Sequence, residues 1–518
     1  MAAYECLTAE KIFKKICELH PDKNKAYSDW NDISNARLFA EIIQQEARYV
    51  PEVKSWYIYD GVRWKEDKGN LKVMRLMQIV AEQIGNYIDM KIIPEIAKEC
   101  SVATRDEIDS FKKKSSEKLK IKKMWTFLKN RKNYVEDASN ILTVSFSEFD
   151  SNKYIFNVQN GTLLLKKDGS IDFRDHSSED YCTKVANVEY SPTLIVPRWD
   201  KFIEEIMEGN TEKIHFLQKI FGYCLSGDTR FECFFMFLGI TTRNGKSTLM
   251  DTALNMFGDY GTTANADTIM QTRQSNSAAP SEDLARLAGI RFLNVPEPAE
   301  GMTLNVAIVK QITGNDMITA RFLHQNSFTY LPTFKFILAT NHAPTANDAT
   351  LFSSDRINVI TFDHHFSEEE RDTSLKELFA SEAVKSTVLN WMLEGWFYLC
   401  KESLYPAPDC VKLATTAYKD SQNKIHQFIE ECFEKAPEMA EKTKVAYDAY
   451  RTWCFNNGYK PLGKSKWIQA MEQAGYHFEK RRTLINGKAV GNATTMLVGL
   501  QFNEEVTCDL SEYAKNWD

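Results

Sequence analysis

No two of the eleven cysteines stand as a C-x-x-C pair. That argues against a zinc ribbon and against a disulfide framework. Thiols scattered in this way read as reduced and mostly buried, in a cytosolic compartment. Long apolar runs are missing too, and nothing approaches the roughly 18 residues of a membrane span. The first residues, MAAYECLTAEKIFKK, lack the apolar core and the cleavage-like site of a secretory signal. No internal repeat or low-complexity tract appears. Nor is the chain a polycation. Its formal net charge is -7, so any hold on nucleic acid has to come from local patches.

What remains is an ordinary globular composition, 43% apolar and 26% charged, over 518 residues. That length suits three or four domains, each able to bury a core. One basic patch is dense. KKKSSEKLKIKKMWTFLKNRK, Lys112 to Lys132, carries a single acid, Glu117. Ile121, Met124, Trp125 and Leu128 recur at helical spacing, so the stretch is expected to be one amphipathic helix. Its basic face is either a DNA track or simply solvated.

Texture changes along the chain. Residues 1–140 read mainly as helices, with a small hairpin at Trp56 to Trp64 turning around Asp60-Gly61. Residues 141–215 turn to short strands and then helices, with Asn160-Gly161 as a hairpin signal. Residues 216–370 alternate short apolar runs with helices, as parallel strands covered on both faces do. A helical connector is expected over 371–435, a small distinct domain over 436–506 and a tail over 507–518. The fold class is α/β and multidomain.

The stretch FLGITTRNGKSTLM, Phe237 to Met250, departs from G-x-x-x-x-G-K-[ST], because Gly239 stands six residues before Gly245 and not five. The surrounding order of strand, polar loop and helix still fits a phosphate site. A helix start offers unpaired N–H groups and a positive dipole end. Gly245 would let the backbone approach, Lys246 would reach the β- and γ-phosphates of ATP, and Ser247 would hold Mg²⁺. Gly239, Arg243, Asn244 and Thr248 complete the expected nucleotide contacts. Thr241, Thr242 and Arg243 would bulge over the phosphates or toward a neighbouring subunit.

Three further residues are candidates. Glu297 ends the apolar run Ile290 to Val295, at the strand edge where open parallel sheets bind ligands. It would hold metal through water or orient the attacking water, with Glu300 as the alternative; Pro296 stands where a second acid is usual. Asn341 ends FKFILATN, as a γ-phosphate sensor or as a turn-forming residue. Arg356 in SSDRINVITF would act as an arginine finger on a neighbour's phosphate, or pair locally with Asp355.

Taken in order, the NGKST loop, RFLNVPEPAEG, VKQITGNDMITARFL, FKFILATNHAP and SSDRINVITF resemble the superfamily 3 helicases. The similarity is to the helicase part of phage and plasmid primase–helicases, akin to the poxvirus primase–helicase. YIYDGVRW and FNVQNGTLLL also resemble the segment preceding that motor, so the likeness spans roughly residues 30 to 505. It implies an AAA+ P-loop core with a central parallel sheet and a hexameric ring moving 3′ to 5′ on single-stranded and forked DNA. A bacterial host cytoplasm follows from the same likeness. It assigns Lys246 and Ser247 to Walker A, Glu297 to Walker B, Asn341 to the sensor and Arg356 to the finger. It also implies a DNA-touching hairpin, here TARFLHQNSFTYLP. In it Thr319–Leu323 and Phe328–Leu331 flank the tip His324-Gln325-Asn326, with Arg321 and Lys310 as nearby cations. No paired-carboxylate or zinc primase site is evident upstream, so a separate primase or polymerase is the expected partner.

Near the C-terminus, two helices stopped by Gly458 and Gly475 precede a hairpin around Asn486-Gly487. Lys480, Arg481, Arg482 and Lys488 surround it. This is a winged-helix pattern, suited to DNA phosphate or to a protein partner. The leading reading is an ATP-driven DNA helicase. The alternative is an initiator that assembles at an origin with ATP and does not unwind. A small-molecule P-loop kinase is disfavoured, since no arginine-rich lid segment is present.

Overall fold

The computed structural model describes residues 7–99, 105–239, 241–271, 282–323, 327–346, 348, 350–485 and 488–503. The chain packs as two compact units. One runs up to Pro344 and includes Ser353–Lys412; the other holds Thr345–Phe352 and the segment from Leu413 onward.

The first unit is organised by a five-stranded parallel sheet. Its strands are β1 (Phe234–Leu238), β2 (Gly261–Thr263), β3 (Phe292–Val295), β4 (Lys335–Thr340) and β5 (Ile357–Thr361). They lie in the order β5-β1-β4-β3-β2. The apolar runs read as two-face-buried strands for a visible reason. Phe234, Phe235, Met236 and Phe237 are all buried, and helices cover them. Helix Thr211–Leu225 and helix Glu382–Glu402 pack against this sheet with Trp199, Phe221, Trp391 and Trp396 in one core. Truncating a fully buried tryptophan there would cost about 3–5 kcal/mol.

Register puts the three expected site segments at one edge. Leu238 pairs with Thr340, and Leu338 with Val295. The loop after β1, Asn341 after β4 and Glu297 after β3 therefore leave the same C-terminal edge of three neighbouring strands. Ligands of open parallel sheets bind at that edge.

The N-terminal part of this unit has its own core of helices Asp32–Ile43, Leu71–Tyr87 and Leu128–Ile141 around Trp56, Trp125 and Tyr134. Strands Ser55–Tyr59 and Trp64–Asp67 pair Tyr59 with Trp64, as the Asp60-Gly61 turn required. The second hairpin pairs Val158 with Gly161, so its turn is Gln159-Asn160, one residue earlier than expected. The basic stretch is not one helix. Helix Arg105–Thr126 stops, and the next begins at Leu128. Phe127 has extended backbone between them, and Leu128 is left exposed while Trp125 is fully buried.

The second unit has helices Lys424–Cys432, Thr443–Asn456 and Lys464–Gln473, and strands Phe433–Lys442, His477–Ile485 and Lys488–Phe502. The last strand lies between the other two. Trp467, Phe428 and Leu497 are fully buried in its core. The two glycine-stopped helices and the following hairpin form where expected; residues 486 and 487 of the turn lie outside the described residues. The expected boundary at 435/436 falls inside strand Phe433–Lys442, and the connector expected over 371–435 runs into this unit. Pro437 makes that strand look like a break. The strand accommodates it by a register shift between Lys435 and Ala440.

Candidate active site

The loop between β1 and helix Lys246–Phe257 is built by two glycines. Gly245 has φ 80°, and a Cβ there would lie 2.3 Å from Ile206 Cγ2. Both facts exclude a side chain. A side chain on Gly239 would instead displace the loop's own polar groups. A Cβ on it would lie 2.1 Å from Asn244 Nδ2 and 2.4 Å from Lys246 Nζ. The glycine at the unexpected spacing therefore makes room for the loop's own lysine and asparagine.

Lys246 is 6% exposed. Its ammonium donates to Asn341 Oδ1 at 2.8 Å and to Gly239 O at 3.3 Å. Burial pushes its pKa below the ordinary lysine range, and Glu297 opposes that shift. Glu297 in turn accepts from Asn341 twice, from the backbone N–H at 2.8 Å and from Nδ2 at 3.0 Å. A cation, an amide and a carboxylate from three adjacent strand ends thus form one hydrogen-bonded chain.

The helix start carries no side-chain cap. The Lys246 N–H makes a long 3.4 Å bond to Asn244 Oδ1; helix-start N–H groups of this kind are what an anion site uses. Ser247 is exposed on that turn and Thr248 half-buried, its carbonyl accepting from Thr252 Oγ1. Asn244 is buried, and its Nδ2 donates to Thr241 O at 2.5 Å, closing the crown of the loop. For ATP the fit rests on the uncapped helix start and the buried lysine. For Mg²⁺ it rests on hard oxygen donors, the Ser247 hydroxyl and the Glu297 carboxylate.

Arg243 takes a left-handed conformation, φ 58°, and its guanidinium meets Glu368 at 2.5 Å. His365 Nδ1 lies 2.7 Å from Thr242 O, and Phe366 N donates to Arg243 O at 2.9 Å. The longer loop is therefore pinned to the segment after β5. No local pattern in the sequence marks Glu368 or His365 for that role.

Arg356 precedes β5, whose first residue pairs with the first residue of β1. It lies at the N-terminal edge of the sheet, opposite the loop, and so away from its own chain's lysine. Its guanidinium bonds Thr313 Oγ1 and lies 3.1 Å from Glu232 Oε2. The ion pair is with Glu232, not with Asp355.

The remaining candidates lie elsewhere. Lys310 is half-buried on helix Val306–Thr313, and Arg321 is exposed just after strand Ile318–Ala320. That strand pairs with Phe328–Tyr330, so the hairpin forms with shorter strands than expected. His324 and Gln325 lie outside the described residues. In the second unit Lys480, Arg481 and Arg482 are exposed on strand His477–Ile485, and Arg481 pairs with Glu479 at 3.1 Å. Lys488 begins the next strand.

Three family models match the chain in succession. "D5 N terminal like" covers residues 36–208, a family of unknown function covers 237–356, and "Poxvirus D5 protein-like" covers 420–507. The middle match begins within β1 and ends on Arg356. Among curated proteins, a "Putative helicase" of Acanthamoeba polyphaga mimivirus is 28% identical over 59% of this chain and 32% of its own length. One of Frog virus 3 is 27% identical over 42% of this chain and 24% of its own length. One of Invertebrate iridescent virus 3 is 24% identical over 62% and 36% respectively. The chain thus spans roughly a third or less of the length of these relatives. An apo structure of the NrS-1 C-terminal region aligns with a TM-score of 0.51 at 11% identity, over 89% of this chain and 98% of that one, which bears on the fold alone. Among the described residues no helix is long and apolar enough to cross a membrane. The models for its N-terminal and C-terminal parts are both drawn from D5-like proteins, and relatives named putative helicases align with 42–62% of it, so the chain is similar to D5-like proteins.

Proposed function

We propose that this chain is the motor of a DNA helicase, hydrolysing ATP to move along a single strand during replication of a viral or other mobile element. The observation that carries the reading is the Lys246–Asn341–Glu297 chain at one sheet edge, beside an uncapped helix start. Lys246 would leave Asn341 for the β- and γ-phosphate oxygens, where its charge is better compensated than in a half-desolvated pocket. Glu297 would orient water for in-line attack. Asn341 touches both, so it would register whether a phosphate is present. Mg²⁺, held by Ser247 and through water by Glu297, would neutralise the phosphate charge.

The strand order β5-β1-β4-β3-β2, with the loop strand flanked on both sides, supports an AAA+ type of core. A ring, hexameric by family resemblance and moving 3′ to 5′, agrees with Arg356 on the edge facing away from its own loop. The C-terminal helices and hairpin fit a winged helix whose exposed Lys480, Arg481 and Arg482 would meet phosphate or a partner protein. A primase or polymerase is the partner proposed for primer synthesis.

The test is strand displacement on a forked duplex with ATP, alongside DNA-stimulated ATP turnover. Displacement that requires hydrolysable ATP is expected. ATP-dependent assembly on DNA without displacement would transfer the chain to the initiator reading.

A further inference from the structure

A cavity of about 900 Å³ lies in the first unit, away from the nucleotide loop. One wall comes from strand Ser55–Tyr59 and the segment around Phe146 and Lys153. The other comes from Ala285 to Gly289 and from the hairpin that follows helix Val306–Thr313.

Its charge is lopsided. Lys68, Lys153, Lys184 and Arg286 line it against Glu66 and Asp150. Asp150 is already used: it accepts from Thr183 N at 2.8 Å and from the Thr183 hydroxyl, and buried Arg291 offsets its charge. Arg286 is held by Glu282 at 2.7 Å. That leaves three lysines, none of them in an ion pair among the described residues, facing one exposed carboxylate.

Its apolar part is also distinctive. Phe146 and Phe322 are half-buried, each with part of a ring toward solvent. Both are fixed by Phe328, Phe146 edge-on at 4.9 Å and Phe322 stacked at 5.5 Å. Met317 and Leu331 flank them, 53% and 43% exposed. Ammonium groups beside rigid, partly open rings are what an unpaired strand recognises, through phosphates on the cations and base faces on the rings. A paired strand hides those faces. An acidic peptide would answer the lysines but leave the rings unused.

We propose that this groove binds a short length of single-stranded DNA, with Lys68, Lys153 and Lys184 on phosphates and Phe146 and Phe322 against bases. The binding stands on the groove's own chemistry; only its service to translocation rests on the helicase reading.

The experiment uses the whole chain, without ATP, and a fluorescent oligothymidylate read by anisotropy over a salt series. The triple variant Lys68→Glu/Lys153→Glu/Lys184→Glu is compared with Lys68→Arg/Lys153→Arg/Lys184→Arg. Single-strand affinity falls with salt at about 0.7 log unit per phosphate contact, so three lost contacts should flatten the slope by about 2. The glutamate triple should bind at least about tenfold more weakly with that shallower slope, and the arginine triple should bind like the parent. An oligonucleotide carrying photoreactive 5-iodouracil should crosslink to peptides containing Phe146 or Phe322. Unchanged affinity and slope in the glutamate triple would overturn the proposal. So would crosslinks confined to other peptides, or loss of an acidic peptide's binding with DNA binding intact. Because ATP is absent, a parent chain that binds DNA yet never hydrolyses ATP would defeat the helicase reading and leave the groove standing.

Discussion

Lys246 donates a 2.8 Å hydrogen bond to Asn341, a residue 95 positions further along the chain. Asn341 then donates twice to Glu297. Neither the lysine nor the carboxylate can change position without the amide sensing it. With Lys246 on phosphate and Glu297 on water, as proposed, the link between the two would run through this one residue.

Asn341→Ala should therefore lower kcat for ATP by about 10²-fold, the usual cost of removing one aligned polar contact from a reacting centre. Glu297→Gln should lower kcat by a similar or larger factor, with nucleotide affinity within about threefold of the parent. Lys246→Ala should abolish turnover. Steady-state kinetics with equilibrium binding of a labelled ATP analogue checks all three. Full turnover in Glu297→Gln would move the acid role to Glu300.

Binding of ATP should also take up protons. Burial lowers the Lys246 pKa from the lysine value of 10.5, with Glu297 acting the other way. In the nucleotide-free chain the neutral fraction of Lys246 then grows as pH rises toward 10.5. Polyphosphate favours the charged form, so uptake on binding should increase from pH 7 to pH 9. The same shift sets a stability sign. The penalty for burying the charge is present below the folded pKa and is relieved as pH rises between the folded and unfolded values. Calorimetry of ATP binding in buffers of differing ionisation enthalpy reads the uptake, and Lys246→Arg should remove it. Uptake that is flat with pH, or that persists in the arginine variant, would clear Lys246 of this role.

Much of the site was readable because its parts are local. An apolar run, a glycine-lysine loop and a capless helix start are neighbours in sequence, and short strands ending in Glu297 and Asn341 carry their own stop signals. What stayed hidden depends on distant partners. Gly239 looks misplaced in a linear motif, yet its missing side chain is the space that Asn244 and Lys246 occupy. Asp355 is the obvious neighbour for Arg356, but the left-handed turn at Asp355, φ 51°, precedes the strand while Glu232 reaches the guanidinium from just before β1. The strand Phe433–Lys442 was hidden by its proline and its exposure, since a strand with most side chains in water shows no alternation. The helix break at Phe127 carries neither Gly nor Pro. Only the burial of Trp125 against a separate N-terminal core shows why the apolar stripe does not continue through Leu128.

Arg356 poses a choice that a second residue can decide. Its side chain is mostly covered, 13% exposed, and its guanidinium is bonded to Glu232 and Thr313 within the chain. If it serves a neighbour's phosphate, Arg356→Ala should be inactive alone and partly rescued by mixing with Lys246→Ala subunits. Glu232→Ala should then keep most activity, because it frees the arginine. If the arginine is only structural, Glu232→Ala and Arg356→Ala should lose activity and thermal stability together, and mixing should rescue nothing. Turnover of mixed samples with melting curves of each single variant separates the two.

The extra residue in the loop leads to the last prediction. Arg243 is paired with exposed Glu368, and one backbone bond from Phe366 holds the same crown. In water such a pair is weak, so it can be exchanged at little cost when a stronger anion arrives. A triphosphate is such an anion, and bidentate contact with guanidinium favours it further. Arg243 should therefore leave Glu368 when ATP binds. Arg243→Ala should raise KM for ATP by about three- to tenfold. Glu368→Ala should lower KM, since it removes the competitor while leaving the arginine. The double variant should resemble Arg243→Ala, because without the guanidinium the carboxylate has nothing to withhold. Opposite signs for the two single variants, with that non-additive double, would identify the exchange. Equal and additive increases would mean that the pair only braces the loop.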